Sequence, residues 1–304
     1  MKEFSASYNF PNGFLWGSLP EDPVFTSGSS GNPARKLKDA NQNAAVINIP
    51  WNDLCTGQNS FDENRIESIR YILARLRTMN IETLVFLDSS VIPEHFSTKK
   101  INSEDLQNAY YHFAVHIIDA ILPYTQFLSV LKLYPSGIFQ KDVQKKLFLD
   151  LREHVKGASD KTKVGITIDY AAAKPSGFIT MFTRRNRAYK DIAESEFTLL
   201  IIDGPVSDNI RFISVPDRKP VMTLNHYYGN LPEEQKKYAL LDDIFELWQC
   251  YQKGTNTGGY FPAITSNNTD RLNDFYSSVC KENALKISTE YPDLPEKWIR
   301  FLKD

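Results

Sequence analysis

Short apolar segments recur along the chain, and each is followed by a longer amphipathic segment. The apolar segments are too short for ordinary helices and almost continuously hydrophobic, which is typical of strands buried on both faces of a parallel sheet. Eight of them are found: Gly13–Gly17, Ala44–Ile49, Thr83–Asp88, Phe127–Leu133, Lys163–Asp169, Phe197–Asp203, Pro220–Asn225 and Gly258–Ile264. The pattern therefore predicts eight parallel strands.

The segments between these strands have helical periodicity. Between Asp62 and Met79, isoleucines and leucines recur at spacings of three and four residues, which places them on one face of a helix. Further helices are predicted over Ser103–Ile121, Gln140–Val155, Arg187–Ala193, Pro232–Gln252 and Asp270–Leu285. Alternating strands and helices, with eight strands in all, predict a (β/α)8 TIM barrel forming a single domain over residues 1–304. A doubly wound open sheet is the alternative, but no GxGxxG follows the first strand.

Composition and charge limit the classes of partner. Of the 304 residues, 42% are hydrophobic and 24% are charged, as in an ordinary globular protein. The 35 Lys and Arg side chains against 37 Asp and Glu give a net charge of −2. Because nucleic-acid binding depends on Lys and Arg that neutralise phosphates, we expect no nucleic-acid partner.

The sequence has neither a signal-peptide pattern at its start nor an apolar run long enough to cross a bilayer. We therefore expect no membrane insertion and a cytoplasmic location, although unconventional secretion leaves no recognisable mark and stays open. The three cysteines, Cys55, Cys250 and Cys280, are far apart and lack a CxxC pair or a neighbouring histidine cluster. This spacing indicates neither a disulfide framework nor a zinc site, and we expect no metal and no cofactor.

Three segments carry recognisable motifs. Phe10–Gly17 reads FPNGFLWG, Asn48–Phe96 contains a strand, Trp51, a helix and a further strand closing on a proline, and Gly254–Phe261 reads GTNTGGYF. In this order they resemble the first strand, the second and third strands and the approach to the eighth strand of glycoside hydrolase family 1, the β-glucosidases. The resemblance implies a TIM barrel. We expect Trp16, in the first segment, to pack in the barrel floor.

The resemblance also implies two catalytic glutamates, an acid/base after the fourth strand and a nucleophile after the seventh. The acid/base motif TxNEP corresponds to Leu131–Pro135, which puts Tyr134 at the glutamate. The nucleophile motif ITENG corresponds to Met222–His226, which puts Leu224 there. Tyrosine, with a pKa of about 10, is a poor general acid, and leucine cannot act as a nucleophile. We therefore expect no catalytic residue at either family position.

The positions that hold the sugar in the family are changed as well. The same correspondence replaces polar and aromatic groups by apolar or small residues, namely Val24, Ser89, Ser90, Ile201 and Ile202. Polar or aromatic residues at the family pocket or its rim are Asn225, Tyr227, Tyr228, Asn268, Asp270 and Arg271, of which only Asn225, Asn268 and Asp270 keep part of the chemistry that the resemblance implies. We expect any ligand or protein partner to contact this second set, and we expect the pair Tyr110–Tyr111 to be exposed.

Other carboxylates end strands and provide an alternative. Asp88, Asp169 and Asp203 each close a predicted strand, where the catalytic residues of barrels lie. Asp169 and Asp203 are on adjacent strands and would serve a divergent glycoside hydrolase that cleaves O-glycosyl bonds. The other interpretation is that each aspartate turns the chain or caps the next helix. His95 and His226 are isolated acid/base candidates.

The sequence thus favours a β-glucosidase-like barrel that is a pseudoenzyme and binds a carbohydrate-like ligand or a protein. The divergent hydrolase with Asp169 and Asp203 is the second hypothesis. The separation of the two carboxyl groups distinguishes these hypotheses, since a retaining glycosidase needs about 5–5.5 Å and an inverting one about 6.5–9.5 Å.

Overall fold

A computed structural model of the chain describes residues 15–16, 34–35, 37, 42–57, 59–97, 103–133, 139, 141–169, 199–203, 221–225, 232, 235, 243 and 257–262. The chain divides into two compact units, Ala45–Asp203 and a second unit made of Met1–Ala44 with Gly204–Asp304. We call the first the central unit and the second the terminal unit, and each is described by itself.

The strands are β1 (Leu15–Trp16), β2 (Ala44–Pro50), β3 (Cys55–Gly57), β4 (Ser60–Phe61), β5 (Glu82–Asp88), β6 (Phe127–Leu133), β7 (Lys163–Asp169), β8 (Leu199–Asp203), β9 (Val221–Asn225) and β10 (Thr257–Pro262). The helices are α1 (Trp51–Leu54), α2 (Glu63–Thr78), α3 (Glu94–Ser97), α4 (Ser103–Ile121) and α5 (Lys141–Ala158), and Leu122–Tyr124 forms a 3-10 turn.

In the central unit the large strands lie side by side in the order β2-β5-β6-β7-β8. The pairs β5–β6, β6–β7 and β7–β8 are parallel. The terminal unit contains the parallel series β1-β10-β9, in which Trp16 is in register with Tyr260. The fold is therefore α/β with parallel strands, and all eight predicted strand segments contain a strand.

The predicted helices are confirmed where the structure describes them. The segment 62–79 contains α2, the segment 103–121 is α4 in full, and the segment 140–155 contains most of α5. The predicted helices at 187–193 and 270–285 lie outside the described residues. Of the predicted helix at 232–252 only residues 232, 235 and 243 are described, and the last two are helical.

Both ends of α2 are set by local sequence. The Asp62 side chain accepts a hydrogen bond from the Arg65 backbone N–H at 3.1 Å and so caps the first turn. Asn80 follows the helix with a left-handed φ of 54°, a conformation that asparagine tolerates. The backbone N–H of Asn80 donates to Arg77, and that of Ile81 donates to Leu76, each at 3.0 Å. This Schellman motif ends the helix and directs the chain into β5.

Aromatic side chains fill the space beside α4. The Trp51, Tyr110 and Phe113 side chains are fully buried, with the Trp51 and Tyr110 rings edge to face at 5.3 Å between centroids. The Tyr110 hydroxyl donates to the backbone carbonyl of Val130 at 3.0 Å, and that of Leu87 lies at 3.3 Å. The expectation that Tyr110 is exposed is therefore wrong, because the period of α4 places it on the buried stripe with Phe113.

None of the described helices is both long enough and apolar enough to cross a bilayer.

Candidate functional site

The carboxyl ends of three central-unit strands each carry an aspartate. Asp88 ends β5, Asp169 ends β7 and Asp203 ends β8. Because parallel strands point the same way, these three residues lie along one edge of the sheet. Proteins with parallel sheets form their binding and catalytic sites at this edge, so it is the candidate site of the central unit.

Asp169 and Asp203 are register partners. They close a series of paired residues that begins with Gly165 opposite Leu199. Neighbouring strands lie about 4.8 Å apart, so the two backbones at this level are separated by roughly that distance. The expectation that these aspartates lie on adjacent strands is confirmed, and their catalytic role stays a prediction.

Asp88 has a structural role. Its Oδ1 accepts a hydrogen bond from the Ser90 backbone N–H at 2.8 Å, and its Oδ2 accepts one from Asn48 Nδ2 at 3.3 Å. The first bond is the turn-forming contact that aspartate commonly makes two residues ahead. The second joins the carboxyl end of β5 to β2, where Asn48 is the exposed position of a strand that is otherwise mostly buried. The turn-forming interpretation therefore holds for Asp88.

A buried pair of hydroxyls lies below this edge. Ser129 Oγ of β6 and Thr167 Oγ1 of β7 are 2.6 Å apart, and both side chains are buried. Thr167 precedes Asp169 by two residues, the period at which strand residues return to the same face. Sequence reasoning missed this pair, although single hydroxyl residues interrupting two apolar strands were the available signal.

The residue at the position that corresponds to the family nucleophile is apolar and buried. Leu224 in β9 is 3% exposed and is in register with Phe261 of β10, which is fully buried. Asn225 ends β9 opposite Pro262. The other residues expected at the acid/base position and at the rim lie outside the described residues, namely Tyr134, His226, Tyr227, Tyr228, Asn268, Asp270 and Arg271.

Of the five positions at which this chain lacks the family's sugar-binding groups, the structure describes four. Ser89 is buried at 4% exposure, whereas Ser90 is exposed. Ile201 and Ile202 lie in β8, in register with Thr167 and Ile168. Val24 lies outside the described residues.

His95 is not isolated. It lies in α3, half-buried, and its Nε2 is 3.9 Å from Sγ of Cys55, a residue forty positions earlier in the chain. Burial raises the pKa of the Cys55 thiol, while the nearby Gly57 backbone and Trp51 indole oppose that rise to a smaller extent. The thiol donates to the Gly57 carbonyl at 3.2 Å. Sequence reasoning missed this pair because no local spacing connects its members.

Among the described residues, no group of three or more His, Cys, Asp and Glu side chains is arranged to hold a metal ion.

Solved structures with a similar backbone fold identify the fold of this chain. The virulence factor SghA from Agrobacterium tumefaciens superimposes with a TM-score of 0.61 at 10% identity, covering 90% of this chain and 98% of that chain. A family 1 β-glucosidase from Thermotoga maritima, in complex with isofagomine lactam, has a TM-score of 0.61 at 13% identity with the same coverage. The chain has a family 1 β-glucosidase-like fold.

A third structure similar to this chain is the AHE enzyme from Alicyclobacillus herbarius, with a TM-score of 0.58 at 13% identity over 83% of this chain and 89% of that chain. No protein-family model matches the sequence. A search of curated proteins finds no match either. Identities this low concern the fold alone, so the chemistry of the site has to be argued from this chain's own residues.

Proposed function

We propose that the chain is a pseudoenzyme of the β-glucosidase type, a single-domain (β/α)8 barrel of the cytoplasm that binds a carbohydrate-like ligand or a protein without hydrolysing glycosides. The observation that carries the proposal is Leu224. By motif correspondence it stands where the family has its nucleophilic glutamate, and its side chain is buried in register with Phe261. An aliphatic side chain can neither attack the anomeric carbon nor stabilise a glycosyl intermediate.

The second family carboxylate supports the same proposal. By motif correspondence Tyr134 replaces the acid/base glutamate. Catalytic groups that act as a unit lose most of their rate advantage when one member is removed. With both the acid/base and the nucleophile replaced, we expect no hydrolysis at the family site.

The barrel proposal rests on the parallel strand series of each unit and on the coverage of the fold relatives. Each unit contributes consecutive parallel strands, and the relatives extend over 83–90% of the chain. A closed barrel places the carboxyl ends of all its strands around one mouth.

A ligand would contact the mouth at polar and aromatic positions. The proposed rim contacts are Asn225, Tyr227, Tyr228, Asn268, Asp270 and Arg271. The apolar replacements at Leu224, Ile201 and Ile202 cannot pair with sugar hydroxyls, each of which costs about 1–3 kcal/mol when buried without a partner. We therefore propose weak binding of free glucose and recognition of a larger partner.

The test is an activity assay on the full chain with aryl β-glucosides and β-galactosides, together with a glucose titration. The expected result is turnover at background and no saturable glucose binding in the millimolar range. Turnover above background that is lost in Tyr134→Phe would contradict the proposal, because it would assign catalysis to the family position.

A second candidate function is favoured by one observation, the register of Asp169 with Asp203. A backbone separation of about 4.8 Å is compatible with the carboxyl separation of about 5–5.5 Å that retaining glycosidases use. These two residues would then serve as acid/base and nucleophile of a divergent glycoside hydrolase.

The variant Asp203→Asn tests this second function. If the pair is catalytic, Asp203→Asn abolishes turnover on a glycoside panel, whereas Asp88→Asn, whose carboxylate is held by Ser90 and Asn48, leaves most of it. Equal turnover in both variants and the unaltered chain would eliminate the relocated pair.

A further inference from the structure

Three side chains meet where the segments after β2 and β5 come together. Cys55 Sγ and His95 Nε2 are 3.9 Å apart. The Trp51 side chain is fully buried, and its Nε1 has no hydrogen-bond partner among the described residues. The Trp51 indole also opposes, to a small extent, the rise that burial causes in the pKa of the Cys55 thiol. A buried donor without an acceptor, in the same cluster as a thiol and an imidazole, makes this cluster a candidate ligand site.

We infer that Cys55 and His95 form a binding site for one soft monovalent metal ion of the Cu(I) type, with the Trp51 indole covering the sulfur. Thiolate and imidazole are ligands that such ions select. The site is independent of the proposed glycoside chemistry and uses none of its residues.

The separation of the two ligand atoms fits a single bridging ion. Taking zinc bond lengths as a guide, about 2.3 Å to cysteine sulfur and about 2.0–2.1 Å to histidine nitrogen, the two bonds span up to about 4.4 Å when they are collinear. The observed 3.9 Å is shorter, so one ion reaches both atoms with a wide angle at the metal.

The net charge of the thiolate together with the bound ion favours a monovalent ion. Cys55 is buried, and Phe96 packs against Trp51 with ring centroids 5.6 Å apart. On binding, the S–H bond breaks, a sulfur–metal bond forms and the proton leaves to solvent. The thiolate and the monovalent ion together are neutral, which suits an apolar environment. A divalent ion would leave a net positive charge, and no third His, Cys, Asp or Glu among the described residues completes a ligand set for it.

The experiment is an anaerobic titration of the full chain with Cu(I) supplied from its bicinchoninate complex. The expected result is one tightly held Cu(I) that is lost in Cys55→Ser and weakened about 10- to 100-fold in His95→Phe, as for groups that hold or orient metal ligands. The double variant Cys250→Ser, Cys280→Ser is the matched control and should retain the ion. Far-UV circular dichroism establishes that each variant is folded.

A second measurement uses the unaltered chain, so that it does not depend on the folding of a variant. Cu(I) should slow alkylation of Cys55 by iodoacetamide, followed by peptide mapping, while Zn(II) should not. Binding that survives in Cys55→Ser, or alkylation of Cys55 that Cu(I) leaves unchanged, would overturn the site. Equal protection by Zn(II) would overturn the assignment to a monovalent ion.

Discussion

Asp169 and Asp203 lie in register at the carboxyl ends of two neighbouring parallel strands, β7 and β8. Thirty-four positions separate them in the sequence, and the strand pairing brings their backbones to about 4.8 Å. Two residues earlier in β7, Thr167 meets Ser129 of β6 at 2.6 Å between hydroxyl oxygens. The aspartate pair thus ends β7 and β8, and the hydroxyl pair lies two residues before it along β7.

The buried hydroxyl pair should be energetically coupled. Ser129→Ala or Thr167→Val alone leaves the other hydroxyl without its partner, and each should lower the free energy of unfolding by about 1–3 kcal/mol. The double variant should cost less than the sum of the single variants, as a urea-denaturation cycle will measure. Ser97→Ala, at an exposed position, is the control and should change stability by less than about 0.5 kcal/mol. Strictly additive costs would show that the two hydroxyls do not interact.

Tyr110 should contribute to stability through its hydroxyl. Tyr110→Phe keeps the ring but removes the donor to the Val130 carbonyl, which should cost about 1–3 kcal/mol of unfolding free energy. The neighbouring variant Tyr111→Phe, at a half-buried position, should cost less than about 0.5 kcal/mol. The measurement is the denaturant midpoint at constant slope. A midpoint for Tyr110→Phe equal to that of the unaltered chain would argue against this hydrogen bond.

Asn80 should matter through its backbone conformation. Asn80→Ala places a side chain without local hydrogen-bonding capacity at φ 54° and should destabilise the chain by about 1 kcal/mol. Asn80→Gly, which adopts this conformation freely, should retain or slightly raise stability. Thermal unfolding of both variants provides the comparison. The reverse order of the two melting temperatures would contradict the Schellman geometry at the end of α2.

Cys55 should make stability depend on alkaline pH. Its pKa is raised by burial, so between the unfolded value of about 8.5 and the higher folded value the native state holds a proton that the unfolded state has lost. This contribution is fully present below the unfolded pKa and is lost as pH rises through the folded pKa. The unfolding free energy should therefore fall more steeply above about pH 8.5 in the unaltered chain than in Cys55→Ala. Parallel curves for the two proteins would show that the thiol is not buried.

The helices and main strands follow from local periodicity. The segment 103–121 was expected as a helix and is α4 over the same bounds. The aspartates that end β5, β7 and β8 were placed at strand ends because an apolar run stops at each of them. These features depend on residues close in sequence, whose side chains alternate or recur with the period of one element.

Other features depended on contacts between distant segments. The strands β3 and β4 contain only three and two residues, too few for any periodicity. The ends of this short hairpin are joined by the Asp62 backbone N–H, which donates to the Leu54 carbonyl at 2.9 Å. Tyr110 was expected to be exposed together with Tyr111. Its hydroxyl instead lies at 3.0 Å from the Val130 carbonyl of β6 and 3.3 Å from the Leu87 carbonyl of β5, contacts between segments about twenty positions apart.

The pair Cys55–His95 shows the same limit most directly. Each residue alone was an isolated thiol or an isolated imidazole, because local spacing carries no information about a residue forty positions away. The sequence by itself determined which segments become strands and helices, since that choice is made within each segment by hydrophobic period and capping. The tertiary structure alone decided which loop residues meet, since β2 and β5 are neighbours in the sheet and the segments that follow them come into contact.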